Sequence, residues 1–258
     1  MCQNQNQDQD QINIRLEEEK DYYEVENLTR EAFWNVYRPG CFEHFIVHNI
    51  RKDSSFIKEL DYIIEKDGKI IANIIYAKGI LKLKKRKNIE DIKGDNNNKE
   101  EENEEKEKVK EEKEEEEEEE KEVLIFGPVS VLPEYQKQGY GEKLIRYSMK
   151  KAKELGYQEI LITGNPDYYK KFGFESAFHY RIIYEGMNEN EELPFFMICI
   201  LNKEKFNQTF YNNNKNEEKD IIYIYSDPKC YKVNEKELEE FDKKFPKKIK
   251  EKRKGQLE

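Results

Sequence analysis

Short runs of apolar residues recur along the chain, some alternating with polar residues and some continuous, and they predict strands. Residues 12–16 alternate strictly, whereas the runs near 70–77 and 195–201 are almost wholly apolar. Asp67-Gly68, between two such runs, is a strong signal for a hairpin turn. The predicted strands are residues 12–16, 60–64, 70–83, 123–131, 159–163, 174–184, 195–201 and 221–225.

Helical spacing of apolar residues occurs in four places between these strands. Residues 21–34 carry acids early and a basic residue late, which the helix dipole favours. Residues 139–155 present a broad apolar face and stop before Gly156. Shorter helices are predicted at 42–50 and 166–172. Because strands alternate with helices only in places, the sequence predicts an α+β fold with a mixed central β-sheet flanked by helices.

Polar segments divide the chain. We predict a globular domain over residues 12–201, preceded by a disordered leader at 1–11. A Lys/Glu/Asn-rich segment at 84–121 separates two strand signals, so we interpret it as a disordered low-complexity insert in a β-hairpin loop. Residues 202–258 form a C-terminal extension with a polar insert and a Lys-rich tail, which we expect to be frayed or helical.

The charge of the chain comes from one tract. The chain has 258 residues, 40% of them charged, with a formal net charge of −10. Residues 99–122 hold 16 Glu and 6 Lys, which accounts for all of that net charge. The remainder is neutral, so a basic nucleic-acid footprint over the whole domain is not supported, and we expect no nucleic-acid partner. We interpret the tract as a solvated segment, with an interaction with a basic partner as the alternative.

The composition also bounds the location. A stretch of about 18 apolar residues, as a membrane span needs, does not occur, so we expect no membrane partner. The first residues lack the charged and apolar regions of a secretory signal. The cysteines are far apart and include no Cys-x-x-Cys pair, which indicates free thiols and a cytoplasmic location. They are Cys2, Cys41, Cys199 and Cys230.

The stretch most informative about chemistry is residues 127–141, in which a predicted strand is followed by a short loop and a helix that starts on glycines. Exposed amides at a helix N-terminus bind anions, above all phosphates. A dinucleotide-binding fingerprint requires a third Gly or Ala where Leu144 stands, and the Gly-Lys-Ser/Thr of a Walker A loop is absent. The pattern therefore indicates a phosphate or pyrophosphate cradle, with a plain strand-to-helix turn as the alternative.

Two blocks of this sequence resemble the GNAT N-acetyltransferase superfamily. The first has the spacing Val-x-Val-x-Pro followed by Gln-x-x-Gly-x-Gly, carried by Val129, Val131, Pro133, Gln136, Gly139 and Gly141. The second is a strand at residues 160–163, then Asn165, then the Tyr-x-x-x-Gly-Phe ending that starts at Tyr169. The resemblance covers roughly residues 12–184, with the insert between the family's third and fourth strands. The chain from Phe195 onward lies outside the common core.

The resemblance implies a function and a mechanism. It implies an N-acetyltransferase that uses acetyl-CoA as co-substrate and transfers the acetyl group to an amine by direct attack. The amides of the loop and helix start would bind the pyrophosphate of CoA, and the backbone of the preceding strand would pair with the pantetheine arm. Asn165 would contact that arm, and Tyr169 would be the general acid that protonates the leaving thiolate. The cofactor-binding positions implied are Val129, Ser130, Val131, Gln136, Lys137, Gln138, Gly139, Tyr140, Gly141, Glu142, Lys143 and Asn165.

Several alternatives stay open. Tyr169 could be an ordinary core residue, and the domain could bind acyl-CoA without turning it over, as a sensor or scaffold. His44 and His48 have the spacing of metal ligands on a helix, but no third ligand is placed, so we interpret them as packing or surface residues and predict no metal site. Glu134 is expected to face solvent. The acceptor amine cannot be decoded, although the regions 31–50 and 178–184 are expected to form its pocket.

Overall fold

A nine-stranded mixed sheet forms the centre of the protein in the computed structural model, which describes residues 12–85, 120–210 and 221–256. The strands are β1 (Ile12–Leu16), β2 (Tyr62–Lys66), β3 (Lys69–Lys85), β4 (Glu120–Val131), β5 (Glu159–Thr163), β6 (Glu175–Ser176), β7 (Ile182–Tyr184), β8 (Phe196–Ile200) and β9 (Ile221–Ser226). The helices are α1 (Tyr22–Phe33), α2 (Glu43–Ile50), α3 (Tyr140–Glu154), α4 (Pro166–Tyr169), α5 (Lys203–Phe210) and α6 (Glu235–Asp242). The predicted α+β class is confirmed.

The strand order is β1-β2-β3-β4-β5-β8-β6, and β9 pairs with the far half of β3, beyond β2. Neighbours are antiparallel except for the β4–β5 and β7–β9 pairs. The long strand β3 therefore holds three partners, with β2 and β9 one after the other along one edge and β4 along the other edge.

The helices cover both faces of this sheet. The Ser130 hydroxyl on β4 donates to Thr29 on α1 at 2.9 Å, so α1 lies on the face that carries Ser130 and its strand partner Asn73. The hydroxyls of Tyr76 on β3 and Ser148 on α3 lie 2.9 Å apart. Because side chains alternate along a strand, Asn73 and Tyr76 point to opposite faces, and α3 therefore packs opposite α1. We call these the α1 face and the α3 face.

One predicted strand differs from the structure. Residues 174–184 were expected to form a single strand, but they form β6, a 3₁₀ turn at Ala177–Tyr180 and β7. Arg181 ends the turn in the left-handed region, with φ 57°. The break follows from the partners, since β6 pairs with β8 whereas β7 pairs with β9. A single straight strand could not pair with both β8 and β9.

The predicted insert at 84–121 is shorter at both ends. Lys84 and Lys85 continue β3, and Glu120 and Lys121 begin β4. These residues stay in strands because β9 pairs with β3 as far as Lys85. Residues 86–119, the leader at 1–11 and the polar insert at 212–216 lie outside the described residues.

Of the two alternatives expected for the Lys-rich tail, frayed or helical, the structure shows a helix at α6 and a packed segment after it, so a frayed tail is wrong for the residues that the structure describes. Phe241 and Phe245 are buried and pack with Phe45 of α2. Further on, the Ile249 carbonyl accepts hydrogen bonds from the Trp34 indole, at 2.9 Å, and from an Asn35 side chain. Apolar residues at 241 and 245, one helical turn apart, give the tail a face to bury.

A buried ion pair fixes this tail to α1. The Arg30 guanidinium, only 1% exposed, donates to Asp242 at 2.6 Å. His44 Nε2 lies 3.2 Å from the same carboxylate oxygen, and His44 Nδ1 lies 3.3 Å from Cys41 Sγ. His48 instead contacts Glu26. The two histidines that share a helix face are thus both engaged by neighbouring side chains.

Among the described helices, none is long and apolar enough to cross a membrane. The cysteines Cys41, Cys199 and Cys230 are free and buried.

Replacing Asp242 with alanine should destabilise the protein by roughly 3 kcal/mol, because it leaves a buried guanidinium without its carboxylate. Urea unfolding measures this change. Glu240→Ala is the matched control, since Glu240 is exposed on the same helix and pairs only with Lys243. The control should change the free energy of unfolding by less than about 0.5 kcal/mol. Equal effects of the two variants would contradict the importance of the buried pair.

The same pair predicts a dependence on pH. Burial acts to raise the pKa of Asp242, but the adjacent His44 and Arg30 outweigh it and hold the pKa well below its usual range. A carboxylate with a lowered pKa stabilises the fold above its unfolded value, about 3.9, and this stabilisation is lost as the pH falls through the folded value. The difference in stability between wild type and Asp242→Ala should therefore shrink in acid.

Candidate active site

Strand β4 has an open edge where it leaves β5. The two strands pair only at Leu124 and Ile125, although β4 continues to Val131 along β3. The register with β3 shifts at Gly127-Pro128, and proline has no N–H to donate to a ladder. Among the described strands, none pairs with the β5-facing edge of residues 126–131. Such an edge presents backbone groups with which an extended ligand can pair.

The loop after β4 leads into the N-terminus of α3 with an unusual backbone. Lys137 and Gly139 both have positive φ, 59° and 87°. The Lys143 amide donates to the Gly139 carbonyl at 3.0 Å and makes the first intrahelical bond. The amides of residues 140–142 lie ahead of it and point out of the helix. Left-handed residues beside a helix start gather amides into a concave anion site.

Side chains of the loop brace this shape. The Gln136 side chain donates to the Val131 carbonyl at 3.0 Å, and the Gln138 side chain donates to the Glu134 carbonyl at 2.8 Å. Glu134 itself is exposed and pairs with Lys69, as its predicted solvent-facing position implies. The Tyr140 ring is buried, and its hydroxyl accepts a hydrogen bond from Lys66. The two glutamines therefore hold the loop closed on itself.

The charged side chains around the N-terminus of α3 leave it with a net positive charge. Glu142, in the first turn, would repel an anion, but Lys171 and Arg146 donate to its carboxylate and lower its pKa. Lys137 and Lys143 are exposed beside it. The paired carboxylate and the additional lysines leave this end of α3 suited to a phosphate group.

Tyr169 lies where β4 and β5 separate. Its ring contacts Phe126, the first residue of the open edge, with centroids 6.1 Å apart, and also Phe174 at 5.7 Å. Burial raises the pKa of its hydroxyl, and Tyr168 and Tyr37 add to this. The hydroxyl is therefore protonated throughout the neutral range. Tyr37, half exposed after α1, is thus a neighbour of Tyr169 from the other side of the sheet.

Two glycines make room for the tyrosine pair. A Cβ on Gly164 would lie 2.5 Å from the Tyr169 ring, so only glycine fits beneath it. A Cβ on Gly141 would lie 3.4 Å from the Tyr168 hydroxyl. Tyr168 therefore reaches toward the start of α3, whereas Tyr169 points to the separation of the strands. The two adjacent tyrosines therefore lie at different parts of the site, one at the start of α3 and the other where β4 and β5 separate.

Ser130 and Asn165, two further predicted contact residues, also have their side chains occupied. Ser130 is fully buried, and its hydroxyl bonds to Thr29 on the α1 face. The Asn165 side-chain oxygen caps α4 by accepting from the Asp167 amide at 2.9 Å. For Ser130 the backbone alone is available at the open edge, together with that of Val129 and Val131. For Asn165 the amide nitrogen remains.

The α1 face of the same sheet is lined by residues of the C-terminal extension. Side chains two residues apart on a strand point to the same face, so the α1 face of β3 carries Ala77, Gly79 and Leu81 as well as Asn73. The β4 partners of Ala77 and Gly79 lie on this face too. Tyr225 of β9 pairs with Leu81, and its ring lies over Gly79. The Tyr231 hydroxyl donates to the Gly127 carbonyl at 2.8 Å. The extension thus reaches the point where the open edge begins.

A family model described as "Acetyltransferase (GNAT) domain" matches residues 104–176. That range contains the open strand, the glycine loop, α3 and the Tyr169 helix. Over residues 104–176 the chain is therefore similar to the GNAT acetyltransferase family. The resemblance predicted from the two sequence blocks is confirmed.

Three individual proteins are similar to parts of this chain in sequence or in fold. An uncharacterised N-acetyltransferase of Escherichia coli K12, YjhQ, is 39% identical over 51 residues, which are 20% of this chain and 28% of YjhQ. The match thus spans less than a third of that relative. The E. coli GNAT family N-acetyltransferase YhbS, solved with CoA, shares the fold with a TM-score of 0.55 at 16% identity, covering 85% of this chain and 91% of that one. A Brucella melitensis GNAT acetyltransferase, solved with acetyl-CoA, has a TM-score of 0.48 at 21% identity, covering 74% and 88%.

Sequence reasoning did not single out four residues that the fold brings to the candidate site or to the α1 face beside it. They are Gly164 and Tyr37, which act on Tyr169, Tyr231, which bonds to Gly127, and Asp227, which lies on the α1 face. Gly164 carried a weak signal, as a glycine directly after a strand and before a predicted tyrosine-bearing helix. The other three carried none, because nothing local marks a loop or tail residue that folds back on a strand far away in sequence.

Adding a methyl group at Gly164 should displace the Tyr169 ring. Gly164→Ala should destabilise the protein by about 1–3 kcal/mol, the usual cost of overpacking, and chemical denaturation measures it. Gly141→Ala is the control, because its methyl group meets other atoms only at 3.4 Å and sits in a helix that favours alanine. A tolerated Gly164→Ala would show that the ring does not rest on this backbone.

Proposed function

We propose that this protein is an acetyl-CoA-dependent N-acetyltransferase, in which an amine attacks the acetyl group directly without a covalent enzyme intermediate. The observation that carries the proposal is the open edge of β4, which starts beside Tyr169 and ends at the glycine loop of α3. A thioester carrier with a long arm and a pyrophosphate matches these three features in order along β4, from Tyr169 at Phe126 to the glycine loop after Val131. The CoA complex of YhbS, which shares the fold, supports the same assignment.

The residues of the site fit CoA. The backbone of Val129, Ser130 and Val131 offers the edge for the pantetheine arm, and the loop from Gln136 to Lys143 offers amides for the pyrophosphate. The lysines beside the helix start add attraction, and the pairing of Glu142 with Lys171 removes a repulsion. Asn165, with its side-chain oxygen used as a cap, retains an amide donor for the arm.

Tyr169 is proposed as the general acid. Bound acetyl-CoA supplies an acyl thioester whose carbon accepts the amine nitrogen as the C–S bond breaks. The Tyr169 hydroxyl gives its proton to the departing sulfur and regains one from water, and the amine loses one proton to water. A raised pKa keeps that hydroxyl protonated until the sulfur takes up negative charge. A free amide of the open edge steadies the carbonyl oxygen as it gains charge.

The extent of the enzyme is part of the proposal. We infer that the acetyltransferase domain takes in residues 12–201 and that the extension from 202 onward completes its acceptor side. Free, unpaired cysteines support a cytoplasmic location. An interaction of the acidic tract with a basic partner stays a proposal for the residues around 99–122.

CoA should raise the melting temperature, because a ligand that binds only the folded state stabilises it by mass action. At about 100 times the Kd the stabilisation is about 2.7 kcal/mol, a rise of several degrees. A Gly139→Val, Gly141→Val double variant should lose this rise, since side chains fill the cradle. Thermal denaturation with and without CoA measures both.

Gly156→Val is a matched control for the backbone cost. Gly156 has φ 95° and open space around it, like Gly139, but it ends α3 rather than beginning it. This variant should melt lower and still respond to CoA. A folded double variant that keeps the full response would show that the cradle lies elsewhere.

Replacing Tyr169 with phenylalanine keeps the ring among its aromatic neighbours and removes the proton. Turnover should fall by roughly 10²–10⁴, in kcat and kcat/KM alike, while CoA affinity hardly changes. Thiol release with saturating acetyl-CoA measures the rates, and calorimetry measures the affinity.

Tyr168→Phe separates the two neighbours. Its hydroxyl lies by Gly141, so its loss should raise the KM for acetyl-CoA and leave kcat near the wild-type value. Full activity of Tyr169→Phe would remove the acid role. Full CoA affinity without turnover in the wild type would favour the alternative of a non-catalytic acyl-CoA module.

A further inference from the structure

The α1 face holds a carboxylate to which the mechanism above gives no task. Asp227 follows β9 directly and is exposed. Its two oxygens accept hydrogen bonds from the hydroxyls of Tyr225, at 3.1 Å, and Tyr184. Burial raises the pKa of the Tyr184 and Tyr225 hydroxyls, and Asp227 raises both further. The carboxylate is therefore held in one position by two protonated donors.

The position of Asp227 relates it to the proposed reaction centre. The Tyr184 and Tyr225 rings both contact Phe196, with centroids 5.2 and 5.4 Å apart. Phe196 pairs with Thr163, next to Gly164, on which the Tyr169 ring rests. Asp227 thus lies on the acceptor side, with an aromatic layer between it and Tyr169. A group bound to Asp227 cannot be the reacting nitrogen, but it can be another part of the same molecule.

The charge of Asp227 is available to a ligand. A carboxylate has about four acceptor positions, and the tyrosines use two. Among the ion pairs formed by residues 12–85, 120–210 and 221–256, none involves Asp227. The guanidinium of Arg38, after α1, stacks on Phe42 and acts on the nearby Glu43. Asp227, joined by Glu185 at Tyr184, raises the pKa of the Tyr184 and Tyr225 hydroxyls, so the charge beside these hydroxyls is negative.

We propose that the acceptor amine carries a second positive charge and that Asp227 binds that charge, with Tyr184 and Tyr225 holding the carboxylate in place. The inference rests on the proposed acetyltransferase function and names its substrate class as diamines and other dicationic amines. Tyr231 donates to the Gly127 carbonyl and is close enough to Asp227 for the carboxylate to raise its pKa, so it links the start of the open edge to Asp227.

The test compares three amines of equal chain length as acceptors in thiol release from acetyl-CoA: cadaverine, pentylamine and aminovalerate. The wild type should prefer cadaverine over pentylamine by roughly tenfold in kcat/KM, beyond the statistical factor of about two for equivalent amines, as expected for hydrogen bonds to a charged group. Aminovalerate should be the poorest. Asp227→Asn should remove the preference by raising the KM for cadaverine, with pentylamine and CoA affinity unchanged.

Two further variants distinguish loss of the Asp227 subsite from misfolding of the protein. Asp227→Lys should invert the order and make aminovalerate the best acceptor, a gain that damage to the fold cannot produce. Glu240→Gln, on an exposed site of the same extension, should leave the order unchanged. An unchanged order in Asp227→Asn, or a wild type that prefers aminovalerate, would overturn the subsite while leaving the acetyltransferase proposal intact. Failure of all three amines and of longer diamines to release thiol, with CoA still bound, would overturn both.

Discussion

The early separation of β4 from β5 is the constraint on which the site depends. Two paired residues hold the strands together, and the shift at Gly127-Pro128 then turns β4 away while β3 continues to support it. A buried sheet normally leaves no backbone groups without partners, so an interrupted ladder inside a sheet is tolerated only where a ligand or solvent reaches it. Tyr169, the glycine loop and the α3 N-terminus are all placed around this opening.

The sheet also separates two electrostatic environments. On the α3 side, lysines surround a helix start whose one acid is paired. On the α1 side, the exposed Asp227 is held by two tyrosine hydroxyls, and the basic Arg38 is stacked on an aromatic ring. An anionic carrier and a cationic acceptor would thus approach from opposite faces and meet only at the opening. Charges that attract one substrate do not draw the other into the wrong subsite.

The sequence predicted those parts of the protein whose signals are local. The α3 helix, the strand before it and the glycines between them follow from periodicity and from backbone requirements at Gly139. The contacts of the C-terminal extension could not be predicted in this way. Arg30 meets Asp242 and Tyr231 meets Gly127 across long separations, and a charged or aromatic residue in a polar tail looks the same whether it is solvated or docked. The prediction of a single strand at residues 174–184 was wrong for a related reason, since the break between β6 and β7 is set by their different partners, β8 and β9.

The same extension explains how the fold accommodates a long segment between β3 and β4. The ends of that segment are fixed by the ladder between Lys82 and Glu120, and β9 holds the other edge of β3 as far as Lys85. With both ends already paired, a longer connection adds only loop-closure entropy, which grows by about 0.6 kcal/mol for each doubling of length. In an isolated hairpin, only the pairing of its two strands would offset this entropic cost. Here it is set against a three-stranded unit, β9-β3-β4, that the extension completes, so one appended segment both places Tyr225 over Gly79 and supports the strand ends at Lys85 and Glu120.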